Sequence, residues 1–273
     1  MFQDLRFETL ICDVPRPSVA RITLNRPQAM NAYTFAMCGE LQSAIAAFRD
    51  DDELLALILT GAGNRAFCTG GDINGSDEAH RDAVAAAPMG RGREMRDGMQ
   101  AVVLALTQLD KPAIAMIRGY AVAGGLALAL ACDFRFAAET ARLGDTSTKV
   151  GLLPDEGGAW LFPRAMGVDR ALKMSLMHEV YDAATAVNLG LVTEVVADAD
   201  LEARTFAFCD ALAAKAPLAV RLTKMMMSRA GDITLAQSMM DAQLAVHIAN
   251  PSADVREGVA AFREKRAPKF SGK

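Results

Sequence analysis

Histidine is scarce in this chain, its cysteines are unpaired in sequence, and no metal-binding pattern is present. The three histidines, His80, His178 and His247, lie far apart and lack the spacing of a metal site. The five cysteines are scattered without a C-x-x-C pair, which argues against both a zinc site and a disulfide framework. We therefore expect an intracellular protein with reduced cysteines and no bound metal.

Membrane and export signals are missing as well. The longest apolar run, 121–132, contains two glycines and is too short to span a bilayer. The starting stretch MFQDLRFETL lacks the basic and apolar segments of a signal peptide. These features predict a cytoplasmic protein that has no membrane partner.

Signals for nucleotide or nucleic-acid binding are weak. The chain has no P-loop motif and no G-x-S-x-G nucleophile motif. Segment 61–66, GAGNRA, fits G-x-G-x-x-A after a predicted strand, but the FCTGG run that follows begins no helix to receive a pyrophosphate. A plain turn is therefore favoured there. A net charge of −4 without a lysine-rich helix argues against nucleic acid as a partner.

The chain does have a large apolar content and alternating predicted elements. Its 273 residues are 52% hydrophobic, which allows a sizeable core. Strands that alternate with helices predict βαβ units and a largely parallel sheet. The predicted strands are 7–13, 19–24, 54–60, 112–117, 134–137 and 191–196.

Helices dominate the second half of the sequence. Thr34 is predicted to cap an earlier helix, and a short buried helix is predicted at 126–131. The other predicted helices are 96–109, 157–166, 169–177, 183–189, 201–214, 217–229, 234–248 and 253–265. We place a boundary near residue 200, between an α/β region, 1–200, and a helical region, 201–273.

Segment 119–158 contains the pattern that most favours chemistry. One glycine turn, at Gly124, opens the apolar run, and a second turn contains Asp155 and Glu156. Glycine amides can hold a developing oxyanion while a nearby carboxylate moves a proton, which suits chemistry on a carbonyl compound. An earlier turn at Gly71 also follows a predicted strand, so we expect both glycine turns at one edge of a sheet, facing one cavity.

Local sequence leaves structural interpretations of these residues open. The glycines could serve only to permit tight turns or close packing. Asp155 could cap the helix that follows it instead of acting in catalysis. Glu156 is interpreted as solvated or ion-paired.

Taken together, these pieces resemble the crotonase superfamily, also called the enoyl-CoA hydratase/isomerase family. The resemblance covers nearly the whole chain, and its motifs form a specific set. It implies an α/β fold with a crotonase-type ββα spiroid core and acyl-CoA site in 1–200, and a helical trimerisation region in 201–273. It also implies a homotrimer or hexamer. The matching stretches are ARITLNRPQAMNA (20–32), LILTGAGNRAFCTGGDI (57–73), KPAIAMIRGYAVAGGLALALACDFRFAAETARLG (111–144), VGLLPDEGGAWLFPRAMG (150–167), ATAVNLGLVTEVV (184–196) and REGVAAFREKRAPKF (256–270).

The resemblance also implies roles for individual residues. The amides of Gly71 and Gly124 would form an oxyanion hole that polarises a thioester carbonyl and stabilises the enolate. CoA would be part of the acyl-CoA substrate, so no separate cofactor is implied. The CoA-binding positions would be Gly71, Asp72, Ile73, Asn74, Phe262 and Lys265.

Departures from the family pattern favour an isomerase. The two glutamates of typical hydratases match Ala127 and Ser147 here, yet hydration needs both a group that activates water and a proton donor. Asp155 remains, and the segment around it looks especially like phenylacetate-pathway isomerases acting on epoxyphenylacetyl-CoA and 3-enoyl-CoA esters. The resemblance thus implies isomerisation of a double bond, epoxide or ring, with Asp155 as the single acid/base.

Two other hypotheses stay open. Hydratase or hydrolase chemistry on an unusual acyl-CoA would need Glu156 or Asp145 as an extra carboxylate. A catalytically silent member of the fold that binds acyl-CoA or RNA would need neither, although the acidic chain disfavours RNA.

Overall fold

The computed structural model describes residues 2–73 and 78–273. Within them the strands are β1 Leu10–Arg16, β2 Val19–Leu24, β3 Ala56–Gly61, β4 Ala66–Cys68, β5 Ala113–Ile117, β6 Tyr120–Val122, β7 Phe134–Ala138, β8 Arg142–Gly144, β9 Val180–Asp182 and β10 Glu194–Val196. The helices are α1 Phe35–Asp50, α2 Glu78–Ala86, α3 Gly90–Met95, α4 Ala101–Thr107, α5 Gly124–Leu130, α6 Gly158–Met166, α7 Val168–Met177, α8 Ala183–Asn188, α9 Leu201–Ala213, α10 Pro217–Arg229, α11 Leu235–Ala249 and α12 Ala253–Glu264.

The larger sheet has six strands in the order β1-β2-β3-β5-β7-β10. Every pair in it is parallel except β1 with β2, which confirms the predicted, largely parallel sheet. All of β5 and nearly all of β3 are buried, as expected for parallel strands covered on both faces. The predicted strand 7–13 is shifted in the structure, because β1 runs to Arg16 before turning.

A smaller sheet, in the order β4-β6-β8-β9, was not predicted. Each of its strands is only three residues long, too short to show an alternating apolar pattern. Strands β4 and β6 pair in parallel, so their carboxyl ends lie at the same edge of this sheet. The glycine turns at Gly71 and Gly124 both come directly after these two strands. The smaller sheet, and not the larger one, therefore brings the two turns together.

Helices α1 and α9 pack on opposite faces of the larger sheet. Thr34 caps α1 by accepting a hydrogen bond from the Met37 amide, as predicted. The apolar face of α1 is buried in the main core. Phe206 and Cys209 of α9 belong to a second apolar cluster with strand residues such as Ile58. Helix α9 thus packs on the α/β core although it lies beyond residue 200.

Helices α10 to α12 leave many apolar side chains at the surface. Helix α10 contains no buried residue, and Ala245 is the one buried residue of α11. Among the described residues, no helix is long and apolar enough to cross a membrane. The exposed large apolar side chains on these helices are Met225, Met227, Leu235, Met239, Met240, Leu244, Val246, Ile248, Val255, Val259 and Phe262.

Candidate active site

The two glycine turns that follow β4 and β6 touch each other. Gly70 has a φ of +90°, a conformation that favours glycine. A β-carbon built on Gly70 would lie 3.1 Å from the Ala123 β-carbon and 3.3 Å from the Gly124 nitrogen. Ala123 itself has a φ of 51° and a ψ of −128°, an uncommon conformation for a residue with a side chain. This strained backbone fixes the start of α5 against the Gly70–Gly71 turn.

The amides of Gly71 and Gly124 have no acceptor within the described residues. The backbone hydrogen bonds of the two turns use neighbouring groups: Asp72 donates to the Tyr33 carbonyl, and Ala123 donates to the Gly144 carbonyl. The N–H groups of Gly71 and Gly124 remain available to a ligand oxygen. An oxyanion hole requires two donors of this kind, and here they belong to two turns that touch each other.

Tyr33 lies against both turns and was missed by the sequence analysis. Its amide donates to the Gly70 carbonyl at 2.9 Å, and it forms a parallel bridge with Gly71. Its ring lies beside both glycines, since β-carbons built on Gly71 and Gly124 would come within 3.5 Å and 2.8 Å of ring atoms. The sequence places Tyr33 just before a helix cap, and no local pattern there indicates a site.

Glu156 is the second residue that the structure adds to this cluster. It is 6% exposed, and its Oε1 accepts a hydrogen bond from the Tyr33 hydroxyl at 2.6 Å. Its Oε2 has no hydrogen-bond partner among the described residues. A β-carbon on Gly124 would collide with the Glu156 carboxyl group, so this group lies against the Gly124 turn. The interpretation of Glu156 as solvated or ion-paired is therefore wrong, because tertiary packing buries it.

The environment of Glu156 raises its pKa. Burial is the main cause, because it penalises the charged form. Hydrogen bonds from Tyr33 and from the backbone of Glu156 itself lower the pKa, and the nearby carboxylates of Asp155 and Asp145 raise it further. Glu156 therefore holds its proton to higher pH than an ordinary glutamate.

Asp155, unlike the adjacent Glu156, is not buried. It is exposed, and its backbone carbonyl accepts a hydrogen bond from the Gln100 side chain at 2.8 Å. It does not cap α6, because the helix begins at Gly158 with Gly157 as its cap residue and no side-chain cap bond. Partial burial raises the pKa of Asp155, but solvent exposure limits that effect.

The positions that match the hydratase glutamates hold no acid. Ala127 is buried within α5. The Ser147 hydroxyl donates to Oδ1 of Asp145 at 2.7 Å, and its amide donates to the same atom at 3.0 Å. Asp145 is fully buried, and its Oδ2 has no partner among the described residues.

The candidate CoA-binding residues lie in two separate places. Asp72 forms an ion pair with Arg26 at 2.7 Å, and Ile73 beside it is 58% exposed. Phe262, at 86% exposure, and Lys265 lie at the end of α12. Asn74 lies outside the described residues.

Comparison with known proteins identifies the family to which this chain belongs. A model of the enoyl-CoA hydratase/isomerase family matches residues 16–273. The (E)-benzylidenesuccinyl-CoA hydratase of Thauera aromatica is 37% identical over 93% of this chain and 96% of its own. The 1,2-epoxyphenylacetyl-CoA isomerase of Escherichia coli K12 is 34% identical over 93% of this chain and 95% of its own.

A solved structure supports the same conclusion for the fold. The enoyl-CoA hydratase of Bacillus anthracis superposes with a TM-score of 0.89 at 33% identity, covering 97% of this chain and all of the other. The two glycine turns, the parallel sheet and the helical C-terminal region thus occur within a fold that the sequence comparisons identify independently. This chain belongs to the enoyl-CoA hydratase/isomerase family and has its α/β crotonase fold.

Proposed function

We propose that this protein isomerises acyl-CoA thioesters by moving a double bond, or by opening an epoxide or ring, with Asp155 as the acid/base. One observation carries this proposal. The contacting turns of Gly71 and Gly124 present two amides that bond to no acceptor in the described residues, while neither Ala127 nor Ser147 can act as a hydratase glutamate. A thioester carbonyl held by two amides makes the neighbouring carbon acidic, so one carboxylate is enough for a double-bond shift.

In this mechanism CoA is part of the substrate and only protons move. The ionised carboxylate of Asp155 takes a proton from the α-carbon of a 3-enoyl thioester. The electron pair moves onto the carbonyl oxygen, giving a dienolate that the amides of Gly71 and Gly124 stabilise. Asp155 then returns the proton to the γ-carbon, which forms the 2-enoyl thioester and restores the carboxylate. No water is added, and the elemental composition of the substrate is unchanged.

Hydration or hydrolysis is the second candidate. The observation that favours it is the position of the Glu156 carboxyl group against Gly124, where a second proton-transfer group could act. Two of the similar proteins described above are named as hydratases. Asp145 is a weaker second carboxylate, because it is fully buried and Ser147 already donates twice to its Oδ1.

A panel of acyl-CoA esters followed by mass spectrometry separates these candidates. We expect 3-enoyl-CoA esters to give products of unchanged mass but different retention. A product heavier by one water would support hydration, and release of free CoA would support hydrolysis. A protein that binds the esters but converts none would contradict both proposals and favour a silent CoA-binding member. Because the chemistry needs no metal, addition of a chelator should leave the rate unchanged.

We also propose that the protein assembles as a trimer or hexamer through the helical region 201–273. The support is the large number of exposed apolar side chains on α10 to α12. Exposure of so much apolar surface to water is unfavourable, and such surfaces mark protein–protein interfaces. Sedimentation should give about three or six times the chain mass of 29.1 kDa. Leu244→Lys places a charge on this surface at a residue that is 63% exposed, so it should lower the assembled mass without unfolding the chain. A wild-type protein that sediments as a monomer would contradict the proposal.

A further inference from the structure

Glu156 occupies surroundings that disfavour a negative charge. It is 6% exposed and makes no ion pair with any described residue. Its hydrogen bond comes from the Tyr33 hydroxyl to Oε1, and Oε2 has no partner in the described part of the chain. Its own backbone amide is the other group that favours its charged form. A buried carboxylate with so few donors and no cation carries a large desolvation penalty.

None of the described groups that act on the pKa of Glu156 is positively charged. Burial raises the thiol pKa of Cys38 and Cys68 to about 12, and it raises the pKa of Tyr33 as well, so all three stay neutral between pH 7 and 10. Asp145 and Asp155 contribute like charge when they are ionised, which raises the pKa of Glu156 further. Within the described part of the chain, the titratable groups that interact with this carboxyl are therefore neutral or negative: Tyr33, Cys38, Cys68, Asp145 and Asp155.

The location of this carboxyl group determines what its charge would do. A β-carbon on Gly124 would collide with Glu156, so the carboxyl group lies directly beside this turn. The amide of Gly124 is one of the two proposed donors to the oxyanion. An ionised Glu156 would repel the negative charge that develops on the thioester oxygen. A neutral Glu156 does not repel this charge, so the amides of Gly71 and Gly124 can stabilise it.

We propose that Glu156 functions as a neutral carboxylic acid, positioned by Tyr33 beside Gly124, and that loss of its proton disables the oxyanion hole. The inference rests on the enolate chemistry proposed above and adds two residues to it. Glu156 is then an electrostatic part of the hole and transfers no proton. Tyr33 is a positioning residue, because it holds Oε1 and thereby fixes the carboxyl group. Proteins are known to keep a carboxylic acid neutral near an oxyanion in this way.

The pH dependence of kcat tests this inference with Glu156→Gln. In the wild type, kcat should fall on the alkaline side as Glu156 ionises. Glutamine has the same size and stays neutral, so the variant should lose this alkaline fall. At pH 7 its kcat should drop by less than about tenfold, against the 10²–10⁴-fold typical for loss of a general acid or base. A variant that loses activity to that larger extent would overturn the inference and support Glu156 as a proton-transfer group.

Tyr33→Phe is the matched test of the positioning role. The Tyr33 hydrogen bond lowers the pKa of Glu156, so its removal should move the alkaline fall to higher pH. If Tyr33 had only a structural role, Tyr33→Phe would change the rate or the stability but not the pH at which kcat falls. An alkaline fall of kcat at the same pH in Tyr33→Phe as in the wild type would therefore contradict the positioning role.

Unfolding measured against pH supplies a readout that needs no substrate. The folded-state pKa of Glu156 lies above its unfolded value, so its contribution to stability is complete below the unfolded pKa and declines as pH rises towards the folded pKa. Glu156→Gln should remove this decline, giving a smaller loss of melting temperature between pH 5 and pH 9 than in the wild type. Identical pH profiles of stability would overturn the neutral-acid inference even if isomerase activity is found. Absence of activity on every ester would instead contradict the proposed function alone.

Discussion

Asp155→Asn should abolish isomerisation while leaving the affinity for CoA esters nearly unchanged. Asparagine keeps the size of aspartate but has no useful basicity, so only the proton transfer is lost. General acid–base groups contribute about 10²–10⁴-fold to rates, and we expect kcat to fall by that amount. The expected kinetic pattern is a large fall in kcat with little change in ligand binding. Initial rates on a 3-enoyl-CoA ester, together with calorimetric binding of a saturated acyl-CoA, measure both quantities.

The structure makes this experiment easier to interpret. Asp155 does not cap α6, so a loss of activity cannot be attributed to a weakened helix start. Asp169→Asn is a suitable control, because Asp169 is an exposed carboxylate in the first turn of α7. The control should keep full activity. An Asp155→Asn enzyme with wild-type kcat would remove the assignment to the isomerase branch.

Gly124→Ala should strongly impair the oxyanion hole. The new β-carbon would collide with the Glu156 carboxyl group and lie 2.8 Å from a ring carbon of Tyr33. At contacts this short, either the turn or the Glu156 carboxyl group and the Tyr33 ring must shift. Because Glu156 and Tyr33 pack closely against the turn, we expect the Gly124 amide to be displaced. Loss of one oxyanion-hole donor lowers kcat by about 10²–10³-fold, which is the expected effect.

Gly39→Ala provides the control for the glycine substitution. Gly39 lies on the exposed side of α1, and a β-carbon there would meet no atom within 4 Å. Alanine favours helix over glycine by about 1 kcal/mol, so the control should be at least as stable as the wild type and fully active. Circular dichroism and thermal unfolding of both variants separate a local effect on the site from a loss of fold. A folded Gly124→Ala enzyme with normal kcat would contradict the role of this amide.

Most of the larger sheet was predictable because five of its six strands are five to seven residues long and largely apolar. Strand β2 matches its predicted bounds of 19–24, and β5 and β7 differ from theirs by one residue each. The three-residue strands of the smaller sheet carry no such signal, and their pairing depends on contacts between distant segments. The position of the site therefore depends on the part of the fold that local patterns describe least.

The glycine turns were predictable as a pair, but their surroundings were not. Tyr33 and Glu156 are separated by 123 positions in the sequence, and only tertiary packing joins them. Asp155 and Glu156 are chain neighbours with different exposure: Asp155 is exposed, whereas Glu156 is buried with its carboxyl group against Gly124. Sequence alone identified both carboxylates and could not show which of them is buried.

Transfer of solvent deuterium tests the central claim most directly. A 3-enoyl-CoA ester is incubated in D2O with the wild type and with Asp155→Asn, and the products are analysed by mass spectrometry and NMR. We expect the wild type to form the 2-enoyl-CoA ester, with deuterium at the α- or γ-carbon and no added oxygen, because the exposed Asp155 exchanges its proton with solvent between steps. The variant should give neither product nor deuterium incorporation. Deuterium exchange at the wild-type rate in Asp155→Asn, or a wild-type product that has gained water, would contradict the account.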